Sequence, residues 1–133
     1  MATIGEVPKY LEELSRLVPG FPPLSISNPW HIPQSWSKDS FPHAASPGVY
    51  LFSDAAGNVI YVGKASSGLG SRIGNEYIGA NGICKSDKVT DAVTLHTIPV
   101  ERSLSFLASA VEEFLISRLQ PSKNVHGVYG AAL

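Results

Sequence analysis

The stretch GVYLFSDAAGNVIYVGK, residues 48–64, holds two short apolar and aromatic runs on either side of a polar segment. Residues 49–53 and 58–63 are typical of β-strands, because they are rich in Val, Ile, Tyr and Phe. The segment between them, DAAG at 54–57, is typical of a turn, since Asp and Gly favour turn conformations. The sequence therefore predicts an antiparallel hairpin.

This hairpin also predicts where its two tyrosines lie. With a four-residue turn, Ser53 pairs with Asn58, and Tyr50 lies directly opposite Tyr61 on the same face. An even number of turn residues keeps both tyrosines on that face, whereas an odd number separates them unless a bulge adds one residue. Two phenols side by side can hold a water between them, although aromatic packing is the commonest role of a strand tyrosine.

Three further elements are predicted after the hairpin. A Gly/Ser-rich stretch leads into a short helix near residues 72–77, and residues 92–98 alternate as a third strand. Ser103 can cap a longer helix that runs to about Leu119 and is stopped by Pro121. The order ββαβα predicts an α+β fold, in which a three-stranded, mainly antiparallel sheet is flanked by helices.

The first 47 residues differ in composition from the rest of the chain. Eight of the ten prolines lie at or before Pro47, and residues 9–18 are predicted to form an amphipathic helix. The irregular stretch that follows this helix contains large aromatic residues, among them Trp30, Trp36 and Phe41. Because disordered linkers are poor in aromatic residues, this stretch is predicted to be an ordered wrap over the core. The expected organisation is an N-terminal helix and Pro-rich wrap over 1–47 and the α+β domain over 48–133, together one compact unit.

The composition limits the classes of function. The chain has 133 residues, of which 44% are hydrophobic, so one domain with a real core is expected. The formal net charge is −1, whereas a dedicated nucleic-acid binder usually carries a basic excess, so any contact with phosphate must come from a local patch. Cys84 is the only cysteine, which excludes a disulfide framework and a Cys-rich zinc site. The sequence shows no signal-peptide pattern and no apolar run of membrane-spanning length, so the cytoplasm is the expected compartment and no membrane partner is expected.

Two glycine motifs near the hairpin do not match nucleotide-binding loops. A phosphate loop ending at Lys64 needs a glycine at Asn58 and a hydroxyl residue at Ala65. A dinucleotide fingerprint that begins at Gly68 needs its third glycine at Ile73. Metal-ligand spacing is also missing from the four histidines, which are His31, His43, His96 and His126.

A spread set of motifs points instead to a known family. The tripeptide GVY at 48–50 opens the first strand, YVG at 61–63 closes the second, and a lysine follows at once. The last helix carries E-x-x-L-I at 112–116, and P-x-x-N at 121–124 follows it. Together with Arg72 between them, this ordered set resembles the GIY-YIG nuclease family, which includes the nuclease domain of excinuclease C and some restriction enzymes.

The resemblance implies a metal-dependent endonuclease that hydrolyses phosphodiester bonds in DNA, with branched or damaged DNA among the candidate substrates. It implies that Tyr50 acts as general base and that Tyr61 and Lys64 place the attacking water. Arg72 would bind the scissile phosphate, because its planar guanidinium matches phosphate oxygens. Lys64 could also lower the pKa of a neighbouring tyrosine, or it could be a solvated loop lysine.

Glu112 is the metal ligand that the resemblance implies. A single carboxylate suits Mg²⁺ or Mn²⁺, because these ions keep several of their waters. Helical spacing places Glu112 beside Ile116 at the border of the apolar stripe, and it places Glu113 with Ser109 on the polar face. Asn124 would orient the glutamate or the last loop, and a simple turn residue is an equal alternative.

The chain departs from the family pattern near Arg72. The family often has Tyr or His one helical turn after the arginine, and that position is Glu76 here. Tyr77 follows directly and is the candidate for this fifth catalytic position. Arg72 and Glu76, four residues apart, could alternatively form a simple surface ion pair.

Two other classes of function stay open. One is a nucleic-acid-binding or partner-binding module that has the fold but no catalytic turnover, which the net charge of −1 favours. The other is a structural α+β domain that binds another protein through the segment containing Trp30 and Trp36. The sequence does not predict the oligomeric state.

Overall fold

The computed structural model of the protein describes residues 2–34 and 40–124, and its central feature is the predicted hairpin. Strand β2 (Gly48–Ser53) pairs antiparallel with strand β3 (Val59–Ala65). Tyr50 lies opposite Gly63, and Phe52 lies opposite Tyr61, so the predicted pairing of Tyr50 with Tyr61 is wrong by two residues.

The register differs because the turn is longer than the sequence suggested. The Asp54 carboxylate accepts hydrogen bonds from the N–H groups of Ala56 and Asn58 at 3.0 and 2.9 Å, which draws Asn58 into the turn. Ser53 then pairs with Val59, and a bulge follows in which Ile60 is the extra residue. An odd turn combined with one bulge residue keeps Tyr50 and Tyr61 on the same face, as predicted, although they are not directly opposite.

Glycine is required in both tripeptides because atoms of neighbouring strands lie where a Cβ atom would otherwise be. A Cβ atom on Gly63 would lie 2.3 Å from the Cζ atom of Tyr50, whose ring crosses over this residue. A Cβ atom on Gly48 would lie 2.2 Å from the carbonyl oxygen of Ile98 on a neighbouring strand. Larger residues at either position would therefore push the strands apart.

The sheet has two further strands: β4 (Thr94–Pro99) is the predicted third strand, and β1 (Trp30–His31) comes from the Pro-rich stretch. The four strands lie in the order β1-β4-β2-β3, and all neighbours are antiparallel. The α+β class is confirmed, but the prediction of three strands is wrong by one. A two-residue strand carries no periodic pattern, so only its backbone pairing with β4 reveals it.

Three helices surround the sheet in the described part of the chain: α1 (Val7–Leu17), α2 (Leu69–Glu76) and α3 (Leu107–Leu119). Short 3-10 turns occupy Ile4–Glu6, Asp87–Val89 and Arg102–Leu104. Ser103 lies inside the last of these turns, so its predicted role as helix cap is wrong, and α3 begins after Phe106. No helix among the described residues is long and apolar enough to cross a membrane.

Helix α2 begins three residues earlier than predicted, despite its glycines. The first N–H groups of the helix find partners outside it: Leu69 donates to the carbonyl of Ser46, and Gly70 donates to that of Ala44, both at 2.9 Å. These bonds satisfy groups that a helix start otherwise leaves unpaired, so the chain before β2 stabilises a sequence of poor helix propensity.

A separate hydrophobic cluster packs against each face of the sheet. On the first face, Tyr50 and Phe52 pack against α2 and against residues from the N-terminal stretch, including Trp30 and Phe41. The rings of Trp30 and Phe41 lie 4.9 Å apart, and both side chains are buried. On the second face, alternate β2 residues pack against α1 and α3. Trp36 lies outside the described residues.

The outer edge of β3 is closed by the segment after α3. The amide of Asn124 makes two hydrogen bonds with the main chain of Val62: its Oδ1 accepts from the N–H and its Nδ2 donates to the carbonyl, each at 2.9 Å. The main-chain N–H of Lys123 donates to the carbonyl of Ile60 at 2.8 Å. These bonds tie the end of α3 to the middle of the edge strand.

We predict that Asn124→Asp destabilises the fold by about 1–3 kcal/mol, because a carboxylate cannot donate to the Val62 carbonyl and leaves that oxygen unsatisfied. Urea denaturation of the parent and variant measures the difference. Lys123→Ala is the matched control, since its bond to Ile60 uses the main chain and survives the change. Equal stability of parent and Asn124→Asp would show that the edge does not depend on the amide.

Candidate active site

Three tyrosine hydroxyls form a hydrogen-bonded chain on the first face of the sheet. The Tyr50 hydroxyl donates to that of Tyr77 at 3.0 Å, and the Tyr77 hydroxyl donates to that of Tyr61 at 3.3 Å. Tyr77 therefore occupies the place between the two strand tyrosines where the sequence suggested a water. The ring centroids of Tyr77 lie 5.2 Å from Tyr50 and 5.6 Å from Tyr61, so the rings also pack together.

The end of α2 explains why Tyr77, and not Glu76, joins this chain. The N–H groups of Tyr77 and Ile78 both bond to the carbonyl of Ile73, which closes the helix at this point. Ile73 is fully buried, and a residue four positions later shares its helical face, so Tyr77 points into the core. Glu76 instead shares the outward face of Arg72, and their charged groups lie 3.1 Å apart.

Arg72 contacts both the tyrosine chain and this carboxylate. Its guanidinium is within hydrogen-bonding reach of the Tyr50 hydroxyl, which raises the pKa of Arg72. The side chain is nevertheless 47% exposed, so part of its fork faces solvent. Arg72 thus interacts with a buried phenol and remains partly accessible to solvent.

Lys64 and Glu112 lie where β3 meets α3. The Lys64 ammonium donates to the Ser109 hydroxyl at 2.7 Å, one helical turn before Glu112. Glu112 is half-buried and Glu113 is exposed, which confirms the helix register predicted from the sequence. Ser109 is the site residue that the sequence reasoning missed, because it was grouped with Glu113 on the solvent face. Its spacing of three residues from Glu112 was the available signal.

Burial shifts the pKa of the Glu112 carboxylate. It raises the pKa of Glu112, against the opposing effect of the positive charges of Lys64 and Arg72. Among the described residues, none forms a hydrogen bond or salt bridge with this carboxylate. Glu112 is thus a desolvated carboxylate with cations nearby and unused acceptor capacity.

Burial also raises the pKa of the central phenols. It raises the pKa of Tyr50 to about 12, although the interactions with Tyr77 and Arg72 act to lower it. It raises the pKa of Tyr77 as well. Arg72 is the cation beside this phenol.

A polar cleft opens beside these groups, with a volume of about 360 Å³. Its lining includes the side chains of Lys64, Arg72 and Glu76, and the Ser/Gly-rich residues 66–68. Two cations and several hydroxyls in an open cleft can accept an anionic group of phosphate size. The tyrosine chain and the cleft therefore share Arg72.

The structure brings most of the sequence-predicted residues together, but not all in the expected way. Tyr50, Tyr61, Tyr77 and Arg72 form one contact group, and Arg72 acts electrostatically on Glu112. Asn124 binds the main chain of β3 and is neither a simple turn residue nor a hydrogen-bond partner of the glutamate.

The side chains available as ligands limit which metal could bind. Within residues 2–34 and 40–124, no three residues among His, Cys, Asp and Glu cluster as a metal site would need. His126 lies outside the described residues. A lone half-buried carboxylate with free acceptor capacity does fit a hydrated Mg²⁺ or Mn²⁺, because such an ion takes few protein ligands and keeps several of its waters.

Comparisons with known proteins match the part of the sequence that carries these residues. The family model of the UvrC-like GIY-YIG domain matches residues 46–125. The UvrABC system protein C of Koribacter versatilis is 39% identical over 82 residues, which is 60% of this chain and 13% of that protein. The UvrABC system protein C of Agrobacterium fabrum is 42% identical over 82 residues, covering 60% of this chain and 12% of that protein. The chain thus matches about an eighth of the length of these relatives.

We predict that Glu112→Gln stabilises the fold at neutral pH, because the neutral amide avoids the cost of a desolvated carboxylate. The pKa of Glu112 is raised in the folded state, so the folded protein binds the proton more tightly than the unfolded chain. The carboxylate therefore costs stability as pH rises through its folded pKa, and the advantage of the glutamine should shrink as pH falls below it.

Thermal unfolding at several pH values tests this prediction. Glu113→Gln removes the same charge from the next position, where the side chain is exposed, and should change stability by no more than about 0.5 kcal/mol. A loss of stability in Glu112→Gln at neutral pH would mean that the carboxylate is held by favourable contacts rather than left desolvated.

Proposed function

Because the chain belongs to the UvrC-like GIY-YIG domain family, we propose that it is a metal-dependent endonuclease that hydrolyses phosphodiester bonds in DNA. Family membership supports a nuclease-type domain in general, and the substrate, the metal and the residue roles are the proposal. The observation that carries it is Arg72, which contacts the buried Tyr50 hydroxyl, lines the polar cleft and acts on Glu112.

Tyr50 is the proposed general base. As a phenolate it would take a proton from the attacking water, and the departing oxygen would be protonated from solvent. Burial raises the pKa of this phenol, while its interactions with Tyr77 and Arg72 lower it. The base is therefore formed in only a small fraction of molecules at neutral pH, until substrate and metal change its surroundings.

Arg72 is proposed to bind the scissile phosphate at the exposed end of its fork. The guanidinium offers fixed donors that match phosphate oxygens, and its charge is most valuable when negative charge builds up in the transition state. Tyr61 and Lys64 are proposed to place the water, since the Tyr61 hydroxyl ends the tyrosine chain and Lys64 lines the cleft.

Glu112 would hold one Mg²⁺ or Mn²⁺, as its unused acceptor capacity allows. When bound, such an ion neutralises charge on the phosphate and the leaving oxygen. Ser109 and Lys64 lie beside Glu112 and keep this corner of α3 fixed against β3. Asn124 is proposed as a positioning residue, because it fixes the strand that carries Tyr61 and Gly63.

The proposed substrate is DNA, with branched or damaged duplexes as candidates. The relatives are components of a UvrABC system by name, and this chain matches only about an eighth of their length. Residues 1–47 are proposed to be part of one compact unit with the domain, since Trp30 and Phe41 pack into the first hydrophobic cluster.

A binding module without turnover is the second candidate, and the net charge of −1 favours it. Such a charge predicts weak non-specific DNA affinity. A docking role for Trp30 is not supported, because this side chain is 7% exposed and packs on Phe41. Trp36 lies outside the described residues.

We predict that the protein cuts plasmid DNA only with added Mg²⁺ or Mn²⁺ and that excess chelator stops the reaction. Glu112→Gln should abolish this cleavage because it removes the metal-binding carboxylate, whereas Glu113→Gln should leave the rate nearly unchanged. Gel analysis of plasmid forms across a metal titration measures both. Undiminished cutting in chelator contradicts the metal mechanism, and DNA binding without any cutting favours the second candidate.

We predict that Tyr50→Phe lowers the cleavage rate about a hundredfold or more, the usual scale for loss of a general base. In the parent, the rate should rise with pH through the neutral range, because a phenol with a pKa of about 12 gains phenolate as pH increases. This rise should be lost in the variant. Tyr10→Phe on α1 is the matched control, and a variant that cuts like the parent would leave Tyr50 with a packing role only.

A further inference from the structure

The ion pair between Arg72 and Glu76 occupies the proposed phosphate site. The two charged groups lie 3.1 Å apart, and both side chains line the polar cleft. Each side chain is nearly half exposed, so both can be reached by a molecule that enters the cleft. A carboxylate and a phosphate use the same geometry to accept hydrogen bonds from a guanidinium.

Glu76 is not the sole group that acts on Arg72. The guanidinium also interacts with the hydroxyl of Tyr50, a side chain that is 1% exposed and packed between the strands and α2. An exposed carboxylate does little to fix the orientation of the guanidinium, because water solvates both charges of an exposed ion pair and leaves it weak. The carboxylate therefore acts mainly on what binds at the open end of the fork.

The other charges that line the cleft show why the carboxylate of Glu76 affects the binding of an anion. Lys64 and Arg72 are the cations that line the cleft, and the ammonium of Lys64 already donates to Ser109. Glu76 thus cancels one of two positive charges at the place where a polyanion would arrive. The overall net charge of −1 supplies no other long-range attraction for such a ligand.

We propose that Glu76 is a specificity-determining residue that competes with backbone phosphate for Arg72. An incoming phosphodiester must displace the carboxylate before it reaches the guanidinium. This competition weakens binding of ordinary DNA and leaves catalysis to substrates whose other contacts bring a phosphate into the cleft. The inference rests on the proposed function for its biological meaning, but the competition itself is a property of phosphate binding.

The test is Glu76→Gln, which keeps the shape and removes the charge. With a fluorescent DNA duplex in excess chelator, so that no cleavage occurs, the dissociation constant at low salt should fall about two- to fivefold, the range expected for an exposed ion pair. The gain should disappear at high salt, because screening removes it. If cleavage is observed with metal, KM should fall by a similar factor while kcat changes little.

Glu12→Gln is the matched control. Arg16 and Glu12 form an exposed ion pair at the same spacing and the same 3.1 Å distance, on α1 and outside the cleft. This variant changes the net charge by the same amount, so it should leave DNA affinity unchanged. Equal tightening in Glu12→Gln and Glu76→Gln would overturn the proposal, since it would show an effect of overall charge.

A double-mutant cycle shows whether the effect passes through the arginine. In an Arg72→Gln background, Glu76→Gln should no longer tighten binding, whereas an undiminished gain would overturn the proposal. Titration of inorganic phosphate, followed by the Arg72 Nε–H signal in NMR, measures the same competition if the duplex binds too weakly. Glu76→Gln should lower the phosphate concentration at half-change, and an unchanged or higher value would refute the inference.

The binding measurements test the competition even if the proposed endonuclease function is wrong. Absence of cleavage in the parent would reject the endonuclease but would leave the phosphate and duplex titrations valid. A fall in kcat for Glu76→Gln without tighter binding would instead make Glu76 a group that orients Arg72, and this outcome contradicts the competition.

Discussion

The ring of Tyr50 lying across Gly63 is the contact on which the site depends. The two residues face each other in the hairpin, and the absence of a side chain on Gly63 lets the phenol cross the edge strand. This crossing brings the hydroxyl within reach of Tyr77 and Arg72 on α2. The hairpin register therefore determines which groups meet, and the bulge at Ile60 keeps Tyr61 on the same face.

A second constraint is the edge position of β3. Because this strand has a sheet neighbour on one side only, its other side is open to α3 and the segment after it. The side-chain amide of Asn124 bonds the main-chain N–H and carbonyl of Val62, which a fifth strand would otherwise pair. The same arrangement brings Lys64 against Ser109 and places Glu112 near the charge of Arg72, so that groups from both faces of the sheet meet at its edge.

The site keeps groups that a purely structural core would avoid. The desolvated carboxylate of Glu112 costs stability at neutral pH, and the buried phenols with raised pKa values would do so only at a pH above their ordinary pKa. Elsewhere the two clusters are built from apolar residues that alternate along β2. Buried polar groups of this kind are typical of a functional site, because reactive groups must be desolvated and still reachable by a ligand.

The sequence by itself determined the element order, the α+β class and the helical faces of Glu112 and Glu113. These follow from local periodicity and from turn and breaker residues, which act over a few positions. The residues that the family resemblance selected sit at fixed points of these elements, and the tertiary contacts between the elements bring them together. The tertiary structure decided the register of the hairpin, the strand at Trp30 and the partners of Asn124. Each depends on pairing between distant segments: the Asp54 carboxylate draws Asn58 into the turn, and the backbone of β4 recruits two residues that carry no pattern. Tertiary packing also placed the hydroxyl of Tyr77 between two strand tyrosines, since the closing turn of α2 directs it into the core, and no local rule relates the end of that helix to the sheet below it.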